Sequence, residues 1–98
     1  NLGALQVPWQ VMQTAFGVFE LIRAMAEQGN PASASDAGVG ALCTRAAIRG
    51  AWLNVRTNAG GVKDKAAIEH IMKDGEKMDA DAARLEAEIL SIVERKFT

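Results

Sequence analysis

The sequence predicts an all-α protein: an antiparallel bundle of about three long helices within one domain, residues 1–98. Alanine is abundant, tyrosine is absent and β-branched residues do not cluster, which favours helices over strands. No stretch alternates between apolar and polar residues over the length of a strand. Apolar residues recur instead at spacings of three and four, which is the helical period. A chain of 98 residues has room for one domain at most.

The first helix is expected to begin near Pro8, because proline suits the first helical position, and to run to about Gln28. Its apolar residues form two faces, so the helix should pack on two sides. One face carries Val11, Ala15, Val18, Ile22 and Met25, and the other carries Trp9, Met12, Phe16 and Phe19. Gly29, in the left-handed conformation that ends many helices, and then Pro31 should terminate it.

The second helix is predicted to start at Ser35 as its N-cap, with Asp36 at the positive end of the helix dipole. At about 100° per residue, a stripe of small and polar residues lies within about 40° of one line. The stripe comprises Asp36, Gly40, Cys43, Ala47, Gly50, Asn54 and Asn58, and the opposite side carries Arg45, Arg49, Trp52 and Arg56. This pattern predicts a central helix with a narrow seam that another backbone or a flat ligand can approach.

The third helix should follow the turn at Asn58–Gly61 and run from about Lys63 or Asp64 to Lys96. Its apolar residues alternate spacings of three and four, like the seam of a coiled coil. They are Ile68, Ile71, Gly75, Met78, Ala82, Leu85, Ile89 and Ile92. The simplest role for this helix is that of a scaffold and a subunit contact.

Composition argues against several function classes. The net charge is −1 and the charges are interspersed, so no basic stripe supports nucleic-acid binding. No window of about 18 apolar residues predicts a membrane span. The single Cys43 excludes an internal disulfide and is expected to be a buried, reduced thiol of a cytoplasmic protein. One cysteine and one histidine give no metal site, and His70 is expected on the surface.

Two further expectations concern completeness. The chain begins with Asn1 rather than methionine, which is typical of a processed or truncated product. Its apolar content of 49% is generous for so short a chain, which indicates extra burial against another subunit or against a further segment.

Asp36 is the leading candidate for chemistry. It serves either as a capping acid or as a carboxylate that recognises or protonates a nitrogenous ligand. Asn54 and Asn58 either satisfy backbone groups at the helix end or bind the same ligand. At 1.5 Å per residue, Asp36 and Asn54 lie about 27 Å apart. The stripe therefore binds an elongated ligand, serves separate functions, or meets a symmetric partner that brings one Asp36 near the other subunit's Asn54. The arginines on the opposite side form an anionic site or, more simply, a solvated or subunit-facing surface.

These residues resemble the C-terminal half of the cyclodeaminase/cyclohydrolase family of folate enzymes. The resemblance rests on Val7-Pro8, the loop Gly29-Asn30-Pro31-Ala32-Ser33-Ala34-Ser35-Asp36-Ala37-Gly38-Val39, Gly50-Ala51, Leu53-Asn54-Val55, Asn58 and Lys63-Asp64. It implies part of a larger all-helical bundle, dimeric or of higher order, that takes a tetrahydrofolate derivative as substrate without a covalently bound cofactor. The implied reaction converts 5-formimidoyltetrahydrofolate to the 5,10-methenyl form and releases ammonia, a step of histidine degradation. A second family activity hydrolyses the 5,10-methenyl form.

The resemblance also implies roles for particular residues. Asp36 would be catalytic, pairing with the amidinium-like cation and relaying a proton, while Asn30, Ser35, Asn54 and Asn58 would bind the substrate. Glutamate formimidoyltransferase is an expected partner. Members of the family carry an N-terminal half with a Gly-rich, Ser-containing segment, and nothing like that segment occurs in this sequence. The chain therefore resembles about half of a catalytic unit. The alternative from another class is a noncatalytic helical interaction module or an inactive fragment.

Overall fold

A computed structural model describes residues 2–97, except for the side chain of Leu2, and it confirms the all-α bundle. The helices are α1, Leu2–Gln28; α2, Pro31–Ala59; and α3, Lys65–Lys96. No strand occurs between residues 2 and 97. The helices run up, down and up in a rod of 53 × 17 × 16 Å.

The predicted start of α1 at Pro8 is wrong, because the helix begins at Leu2 and Pro8 lies inside it. Proline has no N–H, so it cannot donate to the carbonyl four residues earlier, which belongs to Ala4. The side-chain amide of Asn58 donates to that carbonyl over 3.3 Å. A residue 54 positions away therefore supplies a hydrogen bond in place of the one that Pro8 cannot make.

The predicted start of α2 at Ser35 is also wrong, because Asn30 is the N-cap and Pro31 is the first helical residue. The Oδ1 atom of Asn30 accepts a hydrogen bond from the Ser33 N–H at 2.9 Å. An asparagine cap followed by proline outcompetes the later serine, because both residues favour a helix start. Gly29 ends α1 as expected, but without a positive φ. A Cβ there would lie 2.7 Å from the Met25 carbonyl oxygen, so close backbone approach explains this glycine.

The seam predicted for α3 is confirmed. Its members are buried or half-buried, Asp64 caps the helix by accepting from the Ala67 N–H at 3.1 Å, and the helix is unbroken at Gly75. Gly75 lies against the indole of Trp52, which is 2% exposed. Phe19, Leu5, Met12, Ile48, Ile89 and Val55 are the largest fully buried side chains of the core.

Two contacts give the register of the α1–α2 hairpin. Asn58 lies level with Ala4, and Ile22 lies level with Gly40, since a Cβ on Gly40 would be 3.8 Å from Ile22 Cδ1. In both pairs the residue numbers sum to 62, which is the signature of an antiparallel pair. The same register places Asp36 level with Ala26.

Candidate functional site

The α2 stripe that carries the candidate residues faces outward, away from the core of this chain. Asp36, Cys43, Ala47, Gly50 and Asn54 are exposed, whereas Gly40 and Asn58 are half-buried. The prediction of a buried Cys43 is therefore wrong. The stripe belongs to the surface of α2 that α1 and α3 leave largely uncovered.

Large apolar side chains flank the stripe on both helices. We call this surface, formed by the stripe and its apolar flanks, the open face. Its large members are 40–68% exposed: Val7, Val11, Val18, Leu21 and Met25 on α1, and Val39, Leu42 and Leu53 on α2. The expected two-sided packing of α1 is met on one side only, because its other apolar side lies in the open face. Patches of several hundred Å² on a small protein mark interaction or ligand sites.

Asp36 lies in the second turn of α2, at one end of the open face, rather than at the helix start. Its carboxylate is exposed and forms no hydrogen bond or ion pair with any residue between 2 and 97. The capping interpretation therefore loses its support, since Asn30 is the cap. A carboxylate at the edge of an apolar surface can attract a cationic ligand and move a proton.

Asn30 and Ser35 do not share one environment with Asp36. The side chain of Asn30 is engaged as the α2 cap, and Ser35 is half-buried one turn into the helix. As the N-cap, Asn30 determines where α2 begins and therefore where Asp36 lies on the surface of the helix.

Asn54 and Asn58 occupy the opposite end of the stripe. Asn54 is exposed, while Asn58 donates to the Ala4 carbonyl. Because α2 is one uninterrupted helix, Asn54 remains about 27 Å from Asp36 along its axis. One chain therefore does not bring the predicted site residues into a single small pocket.

The arginine-bearing side of α2 packs against α3. The expectation of a solvated or subunit-facing surface is wrong for Trp52, which is buried, and for the half-buried Arg45, whereas Arg49 and Arg56 are exposed. Asp79 accepts from Arg45 at 2.9 Å and from Arg49 at 2.6 Å. Trp52 is buried on this side, and the guanidinium of Arg56 lies 5.2 Å from its ring centroid. Arg45 and Arg49 thus hold α2 to α3 rather than forming an anion site.

His70 is exposed as expected, and its Nε2 lies 3.2 Å from Asp74.

The sequence pattern did not predict that Leu42 and Met25 are exposed near the Asp36 end of the open face. The short Gly29-Asn30 connection was the available signal, because it predicts that the last turn of α1 lies beside the first turns of α2. None of the helices between residues 2 and 97 is long and apolar enough to cross a membrane.

Comparison with known proteins agrees with the residue pattern. The sequence profile of the formiminotransferase-cyclodeaminase family matches residues 2–77. The chain is also 38% identical over 93 residues to a methenyltetrahydrofolate cyclohydrolase of Methylorubrum extorquens. That alignment covers 95% of this chain and 45% of the relative, so the chain spans about half the length of the curated relative it matches. The chain belongs to the formiminotransferase-cyclodeaminase family.

Proposed function

We propose that this chain is the C-terminal part of a folate one-carbon enzyme whose leading activity is the hydrolysis of 5,10-methenyltetrahydrofolate. The observation that carries the proposal is the 38% identity, over nearly the whole chain, to a protein with that activity in its name. The open face is consistent with it, because an apolar surface with one carboxylate at its edge suits a flat, cationic ring system.

Cyclodeamination of 5-formimidoyltetrahydrofolate is the second candidate, supported by the description of the matching family. The 5,10-methenyl cation is the substrate of the hydrolysis and the product of the cyclodeamination. In hydrolysis, water adds to the bridging carbon, loses a proton and one C–N bond opens. In cyclodeamination, N10 attacks the formimidoyl carbon and the former imine nitrogen leaves as ammonia.

Asp36 is the proposed catalytic residue for either reaction. Its carboxylate would stabilise the cation electrostatically, and it would take a proton from the attacking water or pass one to the departing nitrogen. Asn54 and Asn58 are proposed to orient the substrate through their amides. Asn58 can do so only with the part of its hydrogen-bonding capacity that the Ala4 carbonyl leaves available.

The test uses the complete product of the gene and two substrates. With 5,10-methenyltetrahydrofolate, loss of the methenyl absorbance above the spontaneous rate, without ammonia, identifies the hydrolase. With 5-formimidoyltetrahydrofolate, appearance of that absorbance together with ammonia identifies the cyclodeaminase. Spontaneous rates at the same pH are the control, and no acceleration with either substrate contradicts the proposed function.

A further inference from the structure

Pro8 lies inside α1, where proline is an unfavourable residue. The helix begins at Leu2 and continues without a break to Gln28, so Pro8 neither starts nor ends it. An interior proline weakens a helix, because it has no N–H and because its ring crowds the carbonyl four residues earlier. In α1 that carbonyl belongs to Ala4. The Ala4 carbonyl is therefore the group whose surroundings Pro8 changes.

The Ala4 carbonyl accepts a hydrogen bond across the contact between α1 and α2. The donor is Nδ2 of Asn58, at 3.3 Å. With any other residue at position 8, a backbone N–H would compete for this oxygen and draw the carbonyl along the helix axis. Proline removes the competing donor, and its ring opposes the axial direction of the carbonyl. Pro8 therefore leaves the Ala4 oxygen directed at Asn58.

This hydrogen bond sets the orientation of the Asn58 amide. Only the NH₂ side of an amide can donate to a carbonyl, so Oδ1 of Asn58 points away from Ala4. The backbone of Asn58 is held as well, because its carbonyl accepts from the Gly61 N–H at 3.3 Å. Oδ1 has no partner among residues 2–97, and no side-chain nitrogen or oxygen of those residues is both buried and unpaired, so Oδ1 reaches the surface. Asn54, one turn earlier, has no such side-chain bond within the described residues.

We propose that Pro8 is a positioning residue for substrate binding: it leaves the Ala4 carbonyl to orient the Asn58 amide, whose Oδ1 accepts a hydrogen bond from an N–H group of the substrate. The role of Asn58 in this inference rests on the proposed function. The orientation adds the direction of the contact, because an amide fixed in this way presents an acceptor. The substrate group bound at Asn58 is therefore an N–H donor rather than a carboxylate or a carbonyl oxygen.

Hydrogen exchange of the side-chain amides, followed by NMR, tests the orientation of Asn58. Its bonded amide proton should exchange more slowly than the amide protons of the exposed Asn54. The signal is identified by its loss in Asn58→Ala. Pro8→Ala should bring the exchange of Asn58 to the rate of Asn54, because the backbone N–H that this change introduces takes the Ala4 carbonyl. Equal rates in the unaltered chain, or slow exchange that survives Pro8→Ala, overturns the proposal.

The kinetics of the complete gene product with 5,10-methenyltetrahydrofolate test the substrate contact. Asn58→Ala should raise KM about three- to tenfold with kcat unchanged, as expected for the loss of one hydrogen bond to the substrate. Pro8→Ala should raise KM by a similar factor, and combining the two changes should add little further. Pro8→Ala should also raise Tm by about 5 °C or more, since alanine is the better helix former. A merely structural role for Pro8 does not produce a more stable chain that binds substrate more weakly.

Gly17→Ala is the matched control for these kinetics. It also strengthens α1, but its added Cβ meets nothing within 4 Å, so it should leave KM unchanged. A raised KM in Asn58→Ala together with an unchanged KM in Pro8→Ala overturns the positioning role and leaves the proposed function intact. An unchanged KM in Asn58→Ala overturns the substrate contact itself. Only an unaltered gene product that accelerates neither reaction contradicts the proposed function, so the two failures are distinguishable.

Discussion

Gly75→Ala offers a direct test of how α2 and α3 pack. A Cβ at Gly75 would stand 2.6 Å from Cη2 and 2.8 Å from Cε3 of Trp52, with Cζ3 closer still. Ordinary carbon–carbon contacts are about 3.5–4.0 Å, so the nearest part of the indole must move away by more than about 1 Å. Because Trp52 is only 2% exposed, that retreat displaces other core atoms.

The expected magnitude follows from two opposing effects. Overpacking a core costs about 1–3 kcal/mol, and here the upper end applies because two or more ring atoms are displaced. Alanine returns about 1 kcal/mol of helix propensity relative to glycine. The net loss in the free energy of unfolding is therefore about 2 kcal/mol, which lowers Tm by about 8–16 °C in a domain of this size.

Urea unfolding at one fixed chain concentration measures this loss, since self-association would otherwise shift the result. Gly17→Ala is the matched control, because a Cβ at Gly17 meets nothing within 4 Å, and it should gain up to about 1 kcal/mol. Combining Gly75→Ala with Trp52→Phe should cost less than the sum of the two single changes. If Gly75→Ala is as stable as Gly17→Ala, the described contact between α2 and α3 is incorrect.

Three further outcomes are expected. Asn58→Ala should lower the free energy of unfolding by about 1 kcal/mol by urea titration, because it removes the hydrogen bond to the Ala4 carbonyl; no change would show that this bond contributes nothing. Asp79→Asn should cost about 2 kcal/mol, between the values for surface and buried pairs, because it weakens two ion pairs to α2; a loss under about 0.5 kcal/mol would contradict their role. The hydrogen bond from Lys77, followed by the charge attractions of its cationic neighbours, lowers the pKa of Asp81, so Lys77→Met should raise that pKa in an NMR titration of the carboxyl carbon. The stability from this pair is present above the ordinary pKa of about 3.9 and is lost as pH falls through the lowered value, so an unshifted titration would contradict it.

Local patterns predicted the helices because their apolar period is independent of distant contacts. The α3 seam and the Asp64 start could be read from sequence to within two residues. The start of α2 was predicted at Ser35, although the sequence contained the signal for a start at Asn30, because Pro31 is the residue type that favours a first helical position. The start of α1 could not be read from the sequence, since the helix continues through Pro8 and the Ala4 carbonyl accepts a hydrogen bond from Asn58 of α2.

The sequence predicted which candidate residues share one side of α2, but it did not predict that this side is exposed. Helical geometry aligned Asp36, Cys43 and Asn54 on one side of α2. Whether the stripe is covered depends on where α1 and α3 pack against α2. Periodicity does not predict these packing positions, because every side of α2 except one is apolar or small. Cys43 was assigned to the core because its neighbours are apolar or small, and its exposure shows that α1 and α3 leave this side of α2 uncovered.

The most direct test of the account is the turnover of Asp36→Asn in the complete gene product, with 5,10-methenyltetrahydrofolate as substrate. Glu20→Gln is the matched control, because it makes the same change at an exposed carboxylate of α1 outside the open face. We predict that Asp36→Asn lowers kcat by about 10²–10⁴-fold with unchanged helicity, while Glu20→Gln retains the wild-type rate. Equal turnover in the two variants would contradict the assignment of Asp36 as the catalytic carboxylate.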